Sequence, residues 1–139
     1  MYDNNALING KFLHNLNGWT PSAGVTYSAG DGDDNYGVAV LPVGGSIWQE
    51  FSVDEEALQS LHISVKAVGA SLSGSQATLV IKDSYDNTVI TQNLSGTADT
   101  WTENLYSVGI SEGTTYRITI TNNSAAGDIK IDDVWIWFI

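Results

Sequence analysis

The sequence predicts an all-β protein, a sandwich of two antiparallel sheets. Three observations carry that expectation. Short runs rich in β-branched and aromatic residues recur along the chain. Gly, Asn, Asp and Ser punctuate them at regular intervals, as they do in sandwiches and barrels. Within the runs, apolar and polar residues alternate, so that one face of each strand is dry and the other wet.

In chain order the expected strands are Val25 to Ser28, Tyr36 to Leu41, Ser46 to Val53, Leu61 to Val68 and Ala77 to Asp83. Thr88 to Gln92, Asn104 to Val108, Thr115 to Thr121 and Ile129 to Phe138 follow. Leu61, Ile63, Val65 and Ala67 share one face, and His62, Ser64 and Lys66 the other. Ala77, Leu79 and Ile81 oppose Thr78, Val80 and Lys82; Tyr116, Ile118 and Ile120 oppose Arg117, Thr119 and Thr121. Asp31 to Asn35, Gly44-Gly45 and Asn122 to Ser124 read as loops. Asp54 to Ser60 is the one helical candidate, with Asp54 as N-cap and Glu55 and Glu56 in the first turn.

A length of 139 residues suits a single domain over 1–139, large enough to bury a core of its own. The net charge of −11, with five Lys and Arg against 16 Asp and Glu, speaks against nucleic acid as a ligand, because phosphate binding needs clustered cations. An anionic membrane would repel the same surface. Neutral glycans, cations and basic proteins remain compatible with it. With no cysteine, disulfides and thiolate metal sites are excluded. Residues 1–20 hold no apolar run long enough for a secretory signal.

The final strand departs from the one-sided pattern. Trp135 and Trp137 alternate with Val134, Ile136 and Phe138, so both faces are apolar. One row can enter the core, and the other needs a cover. Trp135, Trp137 and Phe138 are therefore interface candidates, for a second copy of the chain in a homo-oligomer or for a larger particle.

No catalytic constellation emerges. Cys is absent, His14 falls in a loop and His62 on a wet face. Asp132, Asp133, Glu50 and Glu103 could serve a glycosidase, but nothing in their spacing sets a pair across a cleft. The expectation is a protein that is not an enzyme.

Particular stretches go further. Ala6-Leu7-Ile8-Asn9-Gly10-Lys11-Phe12 and Leu16-Asn17-Gly18-Trp19 open the chain, and Ile129-Lys130-Ile131-Asp132-Asp133-Val134 begins its last strand. Between them lie Ile47-Trp48-Gln49-Glu50-Phe51, Leu61 to Ala67, and Trp101. Their order and spacing resemble the jelly-roll carbohydrate-binding modules of the family 4, 9 and 22 type, over nearly the whole chain. The resemblance implies a jelly-roll β-sandwich that binds without catalysing, with Trp19 as a structural residue. It also implies a structural Ca²⁺ between an acid just after the Gly-x-Phe and an Asp of the closing pair, which makes Asp133 and Asp132 metal candidates. Leu13 stands at the acid position, so a site weaker than a full one is expected. The loop at Asp31 to Asn35 resembles part of a calcium loop but lacks the distal Glu.

Glycan binding would rest on aromatic platforms and polar neighbours, for which Trp48, Glu50, Tyr36, Tyr85 and Trp101 are the candidates. Small jelly rolls of this look also occur on bacteriophage virions, as capsid decoration or tail-associated subunits. Two expectations therefore stand. The first is a virion-surface accessory protein that partners a capsid or tail protein or itself. The second is a carbohydrate-binding module for a neutral polysaccharide, extracellular as part of a secreted enzyme.

Overall fold

The computed structural model describes residues 5–30, 32, 36–52, 60–69, 77–96, 100–109, 115–124 and 127–138. Ten strands run through them: β1 (Thr20–Pro21), β2 (Thr26–Ser28), β3 (Val38–Leu41), β4 (Ser46–Ser52), β5 (Ser60–Val68), β6 (Ala77–Asp83), β7 (Thr88–Asn93), β8 (Thr102–Gly109), β9 (Thr115–Asn122) and β10 (Ile129–Phe138). They form two antiparallel sheets, ordered β1-β4-β9-β6-β7 and β2-β3-β10-β5-β8. Neighbours in each sheet are mostly distant in sequence, the mark of a jelly roll rather than a meander.

The inward rows of the two sheets meet in one core. Ile47 and Phe51 of β4, Leu79 and Ile81 of β6, and Ile118 and Ile120 of β9 face Ile63 and Val65 of β5 and Ile129 and Ile131 of β10. Phe12 and Trp19 close one end, stacked with ring centroids 5.6 Å apart. Trp19 Nε1 donates to the Asn9 carbonyl at 3.0 Å, so this tryptophan is a packing residue with its one polar atom satisfied.

The strands expected from alternation are present with small changes at their ends. β3 starts at Val38 rather than Tyr36, and the two-residue edge strand β1 carries no periodic signal by which to find it. The helical candidate Asp54 to Ser60 falls mostly outside the described residues, and Ser60 already belongs to β5. Asp31 and Asp33 to Asn35 likewise lie outside them.

A β-bulge resolves the doubly apolar final strand. The pairing of β10 with β5 slips between Asp132 and Trp135, so Val65 is opposed by two residues instead of one. Asp133 takes a left-handed φ of 46°, a conformation that Asp tolerates better than most residues. Its amide donates to Asp132 Oδ1 at 2.8 Å, which satisfies a group the bulge removes from the ladder. Parity then switches. Ile129 and Ile131 are buried before the bulge, and Val134 and Ile136 after it. Trp135 and Trp137 turn to the outer face of the second sheet, each half-buried. Phe138 ends the strand, and its side chain lies outside what the structure describes.

The chain itself supplies part of the surroundings of Trp135. Its N-terminal segment runs along β10 beyond the end of β3. Ala6 N–H donates to the Ile136 carbonyl (2.8 Å) and Val134 N–H to the Gly10 carbonyl (2.9 Å). Asn5 bridges the same strand, Nδ2 donating to the Val134 carbonyl and Oδ1 accepting from Ile136 N–H. The segment is held from the other side by Gln49, which points inward between Ile47 and Phe51. Ile8 N–H donates to Gln49 Oε1 (2.7 Å), and Gln49 Nε2 donates to the Ile8 carbonyl (3.0 Å). The polar residue in the Ile47-x-Gln49-x-Phe51 pattern is thus a clasp for backbone that would otherwise be buried unpaired.

Candidate functional site

The outer face of the first sheet carries a recess. Antiparallel register sets side chains of β4, β9 and β6 in rows across it. One row is Trp48, Thr119 and Val80; the next is Glu50, Arg117 and Lys82. Neighbours within a row are about 5 Å apart at their β-carbons, close enough for direct contact. Glu50, Arg117, Lys82, Thr119 and Val80 of these rows, with Asp83, Ser84 and Asp86 of the β6–β7 turn and with Thr115, line a groove of about 450 Å³, and Trp48 stands next to it under the Arg117 guanidinium.

Its electrostatics are paired. Arg117 Nη2 donates to Glu50 Oε2 at 3.3 Å, and its guanidinium lies over the Trp48 ring. Lys82 Nζ stands 3.4 Å from Asp86 Oδ1. Both ion pairs are exposed and contribute little to stability. Their effect is to offset two of the groove's three carboxylates, Glu50 and Asp86, on a protein of net charge −11. The turn that walls one end is rigidly built. Asp83 Oδ1 accepts from the backbone amides of Tyr85 (2.9 Å) and Asn87 (3.0 Å). The bond from Asn87 above all holds the Asp83 carboxyl below the ordinary aspartate range, against a smaller opposing effect of desolvation.

Glu50 therefore lines the groove, and Trp48 stands next to it beneath Arg117. Tyr85 belongs to the turn that walls it and is almost fully exposed there. Tyr36 and Trp101 do not join them: Tyr36 precedes β3 and Trp101 precedes β8, both strands of the second sheet. Arg117, Lys82 and Thr119 were not among the sequence candidates. Their signal was the alternation that put them on wet faces; what it lacked was the knowledge that β9 lies between β4 and β6.

The second sheet's outer face holds Trp137, stacked on His62 at 5.5 Å between centroids, beside the exposed Leu105. Trp135 lines a cavity of about 410 Å³ with Asn5, Leu7, Asn9, Lys11, Leu13 and His14. At the bulge, the Asp133 carboxylate faces the ammonium groups of Lys11 and Lys66. Asp132 is wholly buried, its Oδ1 engaged by the Asp133 amide. Among the described residues no three His, Cys, Asp or Glu side chains gather as a metal site would require.

No protein-family model matches the chain, and no curated protein matches it in sequence. Solved structures do. A family 61 carbohydrate-binding module in complex with β-1,4-galactotriose superposes with a TM-score of 0.76 at 14% identity, over 97% of this chain and 99% of that one. A family 16 carbohydrate-binding module gives 0.72 at 15% identity, over 95% and 99%. The enzymatically active domain of bacteriophage CBA120 tailspike protein 4 gives 0.74 at 19% identity, over 98% of this chain but 22% of the tailspike chain. The protein is a carbohydrate-binding-module-like jelly roll, a β-sandwich of two antiparallel sheets. At these identities the likeness establishes the fold, and function has to be argued from the site.

Proposed function

We propose that the protein is a non-catalytic module that recognises a neutral polysaccharide in the groove on the outer face of its first sheet. The observation that carries this reading is the half-buried Trp48 beneath Arg117, next to a groove lined by Glu50, Arg117, Thr119 and Lys82. An indole supplies apolar surface for the C–H face of a sugar ring. Guanidinium, carboxylate and hydroxyl groups supply the donors and acceptors that pair with ring hydroxyls. Arg117 lies over the Trp48 ring, so a sugar that stacks there displaces the guanidinium toward Glu50. The acidic exterior disfavours polyanions by long-range repulsion.

The test is binding to a panel of neutral polysaccharides, including β-1,4-galactan and xylan, by isothermal titration and affinity electrophoresis. Retardation by at least one of them, lost in Trp48→Ala while the fold persists, is the expected result. Equal migration of both proteins on every polysaccharide would exclude the groove as a glycan site.

A second reading places such a module on a virion surface, as a capsid decoration or tail-associated subunit. The likeness to a phage tailspike domain favours it, as does the aromatic outer face at Trp135 and Trp137. Mass in solution across a range of concentrations addresses it. A homo-oligomer, or attachment to a viral shell, supports the accessory role; a monomer throughout that binds polysaccharide supports the free module.

A further inference from the structure

Asp133 sits in the left-handed bulge of β10 and is 7% exposed. A carboxylate that far from water needs a counter-charge. Two ammonium groups provide it, from two other parts of the chain. Lys66 Nζ of β5 lies 3.3 Å from Oδ2, and Lys11 Nζ of the N-terminal segment lies 3.5 Å from Oδ1. Oδ1 is buried without a hydrogen bond, so the charge of Lys11 is what faces it. The backbone of the segment is seated directly on the bulge: Val134 N–H donates to the Gly10 carbonyl, and a β-carbon on Gly10 would run into the Val134 carbonyl.

This is the place where the closing Asp-Asp pair, by its resemblance to carbohydrate-binding modules, implies a structural Ca²⁺. The residues present do not fit one. Ca²⁺ takes six to eight oxygen ligands. Here the Gly10 carbonyl is already engaged by Val134, and Leu13, at the position of the expected acid, is apolar and half-exposed. Two ammonium groups within 3.5 Å of the Asp133 carboxylate stand where a dication would have to approach it, and they repel one.

We infer that Lys11 and Lys66 form an internal cation clamp that does the work of a structural metal. They neutralise Asp133 and tie the N-terminal segment to β5 and β10, so the closure of the fold at this bulge needs no divalent cation. Lys11 comes from the N-terminal segment that a metal would have joined to β10, and Lys66 adds a second charge from the neighbouring β5. A protein built this way keeps its structure in calcium-poor or chelating surroundings.

The experiment uses the full chain. Melting in excess EDTA and in millimolar CaCl₂ is expected to give midpoints within about 1 °C of each other, whereas a resident site filled at a hundredfold its Kd would separate them by roughly 5–15 °C. Such a separation, or a saturable heat on titrating Ca²⁺ into the protein, overturns the proposal. A mutant cycle tests the clamp itself. Asp133→Asn keeps a residue that accepts the left-handed backbone. In the native background it leaves two ammonium groups without their partner and lowers the melting midpoint by several degrees. In a Lys11→Met, Lys66→Met background the same change removes a stranded carboxylate and leaves the midpoint level or raises it. Should the double lysine variant not fold, the cycle is run with Lys11→Met alone, where the penalty of Asp133→Asn is expected to shrink. An equal penalty in both backgrounds shows no coupling and overturns the proposal.

Discussion

The guanidinium of Arg117 lies 3.8 Å from the centroid of the Trp48 ring. The two residues stand on adjacent strands, two residues out of direct register, since Trp48 pairs with Thr119 and Glu50 with Arg117. Arg117 is thereby shared between a π-face and a carboxylate, both at the surface. Each contact is worth about 1 kcal/mol or less at this exposure. Arg117→Ala should accordingly leave the melting midpoint within a few degrees of native. Its effect on polysaccharide affinity should be the larger one, and titration of a retained polysaccharide against both proteins measures it. A variant that binds as tightly as the native protein would mean that Arg117 contributes no contact to the ligand.

The inward Gln49 offers a sharper stability test. Gln49→Leu keeps the volume and removes both bonds to Ile8, orphaning a backbone N–H and a C=O. Leaving such groups unsatisfied costs about 1–3 kcal/mol each, less where water reaches them. The expected outcome is a lower melting midpoint together with faster amide exchange at Ala6 and Ile8. Unchanged exchange there would show that the clasp does not hold the segment.

The bulge makes a prediction about neighbours. Ile136 is wholly buried and Trp137 half-buried on the outer face. Ile136→Ala should cost about 2–5 kcal/mol, the usual range for truncating a core aliphatic side chain. Trp137→Ala, though it deletes far more atoms, should cost less, because it removes only the stack on His62 and partial burial. Denaturant midpoints of the two variants decide it. The opposite order would place the parity switch elsewhere.

The Asp83 turn predicts a pH effect. Asp83 is held ionised below the ordinary aspartate range, mainly by the Asn87 amide. A carboxyl whose folded value is depressed adds stability that is present above its unfolded value and lost as pH falls through the folded one. The turn beside the groove should therefore loosen only in acid below the ordinary aspartate range. A carbon-detected NMR titration of Asp83 checks this, and a midpoint at or above that range would refute it.

How the chain divides into strands was written in local order. The alternation at Leu61 to Ala67, Ala77 to Lys82 and Tyr116 to Thr121 is a property of neighbours two residues apart, and neighbours suffice to decide which face is dry. The Trp-Ile-Trp stretch was legible as two apolar rows for the same reason. Which row enters the core was not, because that depends on one extra residue at Asp133 opposite Val65, a matter of register between strands about seventy positions apart. The groove is of the second kind as well. Trp48, Arg117 and Lys82 each announced only a wet face; β9 inserting between β4 and β6 brought them into adjoining rows. The lysine pair on Asp133 joins residues 11, 66 and 133. Local sequence determined what each strand exposes, and only the tertiary pairing, where long-range register and loop closure are decided by packing, determined which exposed residues meet.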